Sequence, residues 1–447
     1  MQGRRLRSTC VLLAASSVLA LAGCSESLPS LPKFSDLNPW AEKPVPLPGK
    51  RVPIIADGSK VGGDLATADR PMMLPAVATN DSWSQPGGAP SNVAGHLALN
   101  ASVKTAWTGD AGQGSGKYGK ISASPIVYDG KVYTLDAAGK VSAFAISGGG
   151  AAWRTSITPD GEKNPQKGYG GGLAAHNGKI FAVSGYGAAV ALDAKSGKKL
   201  WERQIGVPIR SSPTAAAERL FFVTTEGELY CLSVEDGAEN WKFKGEAERA
   251  SFITNASPAV EGDLVIAPFV SGDVVAVKIS TGQAIWTESL ARTRTASSLA
   301  AMSDAARPAV DGGVAFAVGH AGRMVATQAR SGERLWSLSI PGIQQPWVAG
   351  DSVFVVDTGG QLMAISRRDG KSVWTMKLPG DGTWSGPVLA GNKLWLASSK
   401  GVLASVEAVT GKLAGTQDLG NPVYIAPVVA GGRMYVLTDS ARLIALN

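Results

Sequence analysis

The stretch that decides the fold is SGKKLW, Ser196–Trp201: a small residue, a glycine, three further residues and a tryptophan. It recurs as DGAENW (Asp236–Trp241), TGQAIW (Thr281–Trp286), SGERLW (Ser331–Trp336) and DGKSVW (Asp369–Trp374), with a looser copy, GGGAAW, at Gly148–Trp153. A seventh, TGKLAG (Thr410–Gly415), has Gly415 where the others have the ring. From Trp153 to Gly415 the intervals between copies run from 38 to 50 residues.

Working outward, each copy closes a longer unit. SPIVYDGKVYTLDAAGKVSAFAISGGGAAW, from Ser124, aligns with SPAVEGDLVIAPFVSGDVVAVKISTGQAIW, from Ser257. A small residue, a proline and a short apolar strand open the unit; a glycine turn, an alternating strand, a second turn and a third strand follow, and the tryptophan strand ends it. The openings recur at Pro125, Pro213, Pro258, Pro308, Pro346, Pro387 and Pro427, with Leu173 in place of the eighth. Four short alternating strands every 40 to 50 residues are the mark of a β-propeller. The class is all-β, with four-stranded antiparallel blades.

A twisted blade diverges from its neighbour towards the rim and leaves a wedge. A flat ring on the outermost strand fills it, contributing roughly 2–3 kcal/mol by burial, and its indole N–H can reach a backbone carbonyl. The glycine four residues earlier sits in the tight turn entering that strand. Trp153, Trp201, Trp241, Trp286, Trp336 and Trp374 are therefore structural. Seven units run from Ser124 to about Leu419, and an eighth stops at Asn447 before its tryptophan strand. NASVKTAWTGD, Asn100–Asp110, supplies that strand from the other end of the chain, with Trp107 in the motif position. The expectation is an eight-bladed ring closed by the N-terminal strand joining the C-terminal blade, which removes two sheet edges.

The beginning of the chain is of another kind. Arg4, Arg5 and Arg7 precede the short apolar run VLLAASSVLALAG, as in a secretory signal. The run ends in LAGC, Leu21–Cys24, which resembles the bacterial lipobox, so residues 1–23 read as a lipoprotein signal peptide and Cys24 as the lipidated residue. Ser25, where a retention signal would have aspartate, implies the outer membrane. Residues 24–80 are proline-rich and read as a lipidated tether, and residues 81–447 as the propeller. Removing three arginines and no acid takes the net charge from +7 to +4, which does not suggest a nucleic-acid partner. With Cys10 removed and Cys24 lipidated, Cys231 has no partner in its own chain and reads as a small buried apolar residue.

The architecture is similar to that of the quinoprotein dehydrogenases, which implies a periplasmic quinone-dependent enzyme or a ligand sensor as the alternative function. Those enzymes use adjacent cysteines, a calcium site and an aspartate base. This sequence has no Cys-Cys pair and no cluster of Asp, Glu and Asn at ligand spacing. His96, His176 and His320 lie far apart, in no metal-binding pattern. No cofactor, metal or catalytic residue is expected.

The lipobox, the tether, this repeat and NDSWSQPGGAPSNVAGHLAL (Asn80–Leu99) ahead of the ring together resemble the BamB family, propeller lipoproteins of the outer-membrane β-barrel assembly (BAM) machinery. The resemblance implies a non-enzymatic scaffold on the periplasmic face of the outer membrane, assisting insertion of β-barrel proteins. It implies as partners the POTRA domains of BamA, other BAM subunits and unfolded outer-membrane proteins. In that family two adjacent interblade loops make the contact; here they are KGEAERASFITNASP (Lys244–Pro258) and ARTRTASSLAAMSDAARP (Ala291–Pro308). Arg249, Ser251, Phe252, Ile253 and Asp304 are the expected partner-binding residues. Phe252 and Ile253 suit an apolar hot spot with a polar rim, although Phe252 equally reads as packing back on its own blade. Ile253 stands where the family has arginine, and Asp304 stands alone where it has two aspartates.

Overall fold

A computed structural model describes residues 72–245, 256–290 and 305–447. Their strands form eight antiparallel sheets of four, each drawn from one sequence unit except the last. In the first blade Ile126–Tyr128 is innermost, followed by Lys131–Leu135, Lys140–Ala145 and the tryptophan strand Ala151–Ser156. The eighth sheet joins the two ends of the chain. Thr105–Asp110 pairs with Arg442–Leu446, with Trp107 opposite Ala445, and the backbones of Lys104 and Asn447 exchange two hydrogen bonds of 2.9 Å. The protein is an eight-bladed β-propeller closed by its N-terminal strand.

One transverse row of residues explains the repeat. In the third blade it runs Phe221, Cys231, Trp241 across the second, third and fourth strands. The same row reads Tyr133–Ala143–Trp153, Phe181–Ala191–Trp201, Phe316–Ala326–Trp336, Phe354–Ala364–Trp374 and Tyr435–Ala445–Trp107 in five other blades. A small residue between two rings lets their centroids approach to 5.7–6.1 Å. Cys231 thus stands where the five other rows have alanine. It is fully buried, and desolvation pushes its thiol up to about 12, so it behaves as the apolar filler the sequence suggests. Just before each tryptophan the strand carries a β-bulge, as between Cys231 and Leu232 on the facing strand, which re-aims the ring.

Each ring then reaches the following blade. Trp201 Nε1 donates to Val234 O at 3.2 Å, and Trp241 Nε1 to Ile279 O at 2.7 Å; all seven motif tryptophans make this bond to the next blade. The motif glycine of that next blade lies against the ring. At Gly237 (φ +72°) a Cβ would sit 2.8 Å from Trp201 Cε3. The glycine therefore has two jobs. It turns the chain, as its sequence position suggests, and it leaves room for the preceding blade's indole.

This pairing explains the one irregular copy. At Gly415 there is no ring, and an added Cβ would meet only Ser405 Oγ, at 3.7 Å. The next blade's residue four before its tryptophan is Val103, where the other blades have glycine. The row in this seventh blade is Trp395–Ser405–Gly415, with the large ring moved to the second strand. Trp395 is 5% exposed and its Nε1 donates to Ala390 O at 3.0 Å. Tryptophan and glycine are lost together because each is the other's partner.

Candidate functional site: a strapped axial cavity

A propeller leaves the inner edge of every blade's first strand facing the axis, with unpaired backbone groups. Here Asn80–Leu97 runs a full circuit of the ring and bonds to each edge in turn. Asn80 O accepts from Gly431 N (2.7 Å) on the eighth blade, and Trp83 exchanges two bonds with Val127 (2.7 and 2.9 Å) on the first. Ser84 O accepts from Ala175 N (2.8 Å) on the second. Gln85 imitates a strand residue on the third: Nε2 donates to Ala215 O at 3.0 Å and Oε1 accepts from Ala215 N at 3.1 Å. Pro90 O and Ser91 O accept from Val260 N (2.8 Å) and Val310 N (2.9 Å) on the fourth and fifth. Gly95 O accepts from Trp347 Nε1 (2.9 Å) on the sixth, and Leu97 bonds to Leu389 and Gly391 on the seventh. Ala98 N then donates to Ala78 O (2.9 Å), which closes the strap on itself.

Two buried side chains pin the strap. Asn92, in a left-handed conformation (φ +57°), donates through Nδ2 to Pro308 O at 2.9 Å and lies within 3.4 Å of the Ser257 and Pro258 carbonyls. His96 accepts from Asn392 N through Nε2 (3.0 Å), so the ring proton sits on Nδ1 and is donated to Pro75 O (2.8 Å). Contact with the ring is already made at Met72, which is buried.

The strap occupies the end of the axis at the first-to-second-strand turns. At the other end, where interblade connections enter the inner strands, lies a cavity of about 480 Å³, lined from six blades and by strap residues Trp83 and Pro86. Trp83 and Trp347 are 2% and 4% exposed and stack with centroids 6.1 Å apart. Ile343 and Tyr424, 39% and 52% exposed, stand at the mouth. Arg307 lines the wall, its Nε donating to Ser257 Oγ (2.8 Å) and one Nη to Gln345 Oε1 (3.1 Å) and Pro86 O (3.3 Å). Desolvation lowers this guanidinium to about 10, which leaves it cationic at neutral pH. Among the described residues, Lys120 and Asp439 are the other charged ones in the lining. Among the described residues no group of three His, Cys, Asp or Glu could hold a metal.

A family model described as outer membrane protein assembly factor BamB matches residues 161–376 and 368–447, which include blades two to eight except the closing strand. The chain belongs to the BamB family. Curated relatives include BamB of Shewanella oneidensis, 26% identical over 239 residues (52% of this chain, 59% of that protein), and an uncharacterized protein of Rickettsia prowazekii, 30% identical over 169 residues (37% and 40%). The matched region thus spans about half the length of these relatives. Among solved structures the fold is similar to BamB from Moraxella catarrhalis (TM-score 0.67, 16% identity, covering 77% of this chain and all of that one). It is also similar to a europium-containing methanol dehydrogenase (0.64, 15%, covering 80% and 89%). At these identities the likeness is one of fold.

The tryptophan set, Trp107 included, lies where the repeat places it, between blades. Cys24 and the expected partner residues Arg249, Ser251, Phe252, Ile253 and Asp304 lie outside the described residues. The flanking strands are described: Glu239–Lys244 and Ala284–Ser289 end, and Ala259–Glu261 and Ala309–Asp311 begin, at the cavity end of the ring. Sequence reasoning missed the strap contacts and Arg307. The signal present in the sequence was the entry motif Asn80–Leu99, which holds Trp83, Gln85 and Asn92 but names none of their partners.

Proposed function

We propose that this protein is a non-catalytic scaffold subunit of the outer-membrane β-barrel assembly machinery. Residues 1–23 are its signal peptide, and lipid on Cys24 holds it to the periplasmic face of the outer membrane through a tether that starts at Cys24 and has met the ring by Met72. The propeller, residues 81–447, binds the POTRA domains of BamA through Arg249, Ser251, Phe252, Ile253 and Asp304. Membership in the BamB family carries this reading. It is supported by the placement of both loop anchor points at one end of the ring. Other subunits and unfolded outer-membrane proteins are further partners. For the latter the strap takes up the inner strand edges, which leaves the outer strands for strand addition.

The test is capture of the BamA periplasmic region by the purified protein. Phe252→Ala combined with Ile253→Asp abolishes capture while the melting temperature is unchanged. Unaltered capture by that double variant contradicts the assigned contact.

A further inference from the structure

The strap also sets the path that a pull on the chain ahead of it must take. Its two ends are clipped to each other. Leu97 lies between Ala78 and Ala390 in a parallel arrangement, with Ala78 N donating to His96 O (2.8 Å) and Ala98 N to Ala78 O (2.9 Å). Between those ends the grip is serial. Asn80 holds the eighth blade, through its own carbonyl and through Nδ2 to Val429 O (2.8 Å). Trp83 then holds the first blade, Ser84 the second and Gln85 the third, and the order continues to Gly95 on the sixth and Leu97 on the seventh.

The closing strand comes later in the chain. Lys104 and Asn447 exchange their two bonds, and Thr105–Asp110 pairs with Arg442–Leu446, only after the strap has completed its circuit. Tension from the N-terminal side therefore meets Ala78 first, and each contact is loaded when the one before it has let go. Contacts loaded in turn yield at the force of one or two hydrogen bonds. The closing strand carries nothing until Leu97 has left the seventh blade. Gln85 and Asn92, each 1% exposed, are the stops along the way, because their buried amides must give up several carbonyls and an amide N–H without water at hand.

We infer that the strap is a tension latch: under a pull on the chain before Met72 it peels from the ring blade by blade, and so keeps that pull off the closing strand. The clipped ends give the latch a measurable length. Ala78 and Leu97 are neighbours while bound, so nearly all of Ala78–Leu97 appears as new length on release, about 6–7 nm at 3.3–3.6 Å per residue. The inference does not depend on the scaffold reading above, because it holds whatever fixes the N-terminal end.

The test is an optical-trap measurement on the full chain, held by handles at its two termini. The record shows a release of about 6–7 nm in total, as one step or a run of smaller ones, that reverses when the force is lowered. The ring ruptures later, at higher force. Asn92→Ala raises the opening equilibrium constant of the early release about tenfold or more, the size expected when a buried bonding group is lost. It leaves the force of the later rupture unchanged, since the strap is already free by then. Gln85→Ala has the same effect, and keeps the test decisive if Asn92→Ala does not fold. The inference is overturned by ring rupture with no earlier release, or by an early release that neither variant shifts. It is equally overturned by a first release of about 11 nm or more, which is Ala78–Asp110 coming away together, or by a rupture force that falls with either variant.

Discussion

The claim that motif glycines make room for the preceding blade's tryptophan can be separated from their turn geometry. Gly237 and Gly130 have nearly the same φ, +72° and +70°. At Gly130 an added Cβ meets nothing within 4 Å; at Gly237 it meets three Trp201 ring atoms at 2.8–3.1 Å. Alanine at either position is strained by a left-handed conformation, at about 1–2 kcal/mol. At Gly237 the methyl must also displace an indole whose N–H is bonded to Val234 O, and overpacking adds about 1–3 kcal/mol. Urea unfolding should therefore show Gly237→Ala destabilising by about 2–5 kcal/mol and Gly130→Ala by about 1–2. Trp201→Ala removes the clash, so in that background Gly237→Ala falls back to the Gly130→Ala value. The coupling in this double-mutant cycle is then about 1–3 kcal/mol. Equal costs for the two glycines, or no coupling to Trp201, would refute the pairing and with it the account of Gly415 and Val103.

Other outcomes follow from single contacts. Cys231→Ala, which restores the common row residue, changes stability by less than about 1.5 kcal/mol. With its thiol pushed up to about 12, wild-type Cys231 resists iodoacetamide at pH 8 and alkylates only on unfolding, so reaction with the native protein contradicts the burial. Glu288, 7% exposed, receives Arg334 in a two-pronged pair (2.7–3.1 Å) between the fourth and fifth blades. Glu288→Gln lowers the unfolding free energy by about 1–3 kcal/mol, measured by urea titration. Asn92→Ala loses about 2 kcal/mol by stranding three carbonyls, and Asn92→Asp loses more, because a carboxylate would face them; thermal melts at pH 7 rank the two.

The ring was legible because its determinants repeat. The SGKKLW copies carry the turn, the bulged strand and the interblade ring within six residues, and Trp107 announces the closing strand. Gly415 could be read as a lost tryptophan, but its partner Val103 and its substitute Trp395 could not, since the row joins residues far apart in sequence. The strap was illegible for a different reason. Its bonds use carbonyls and amides that any residue supplies, and Gln85 and Asn92 reach partners 130 and 216 residues away. Arg307 follows the same pattern: it reads as an ordinary loop cation until Ser257, Gln345 and Pro86 O gather round it.

Peptide-resolved hydrogen exchange of the unmodified protein tests ring closure most directly. If Thr105–Asp110 completes the last blade, its amides exchange as slowly as those of Arg442–Leu446 and lose protection at the same denaturant concentration. Rapid exchange in Thr105–Asp110 beside a protected Arg442–Leu446 would mean that the ring is open.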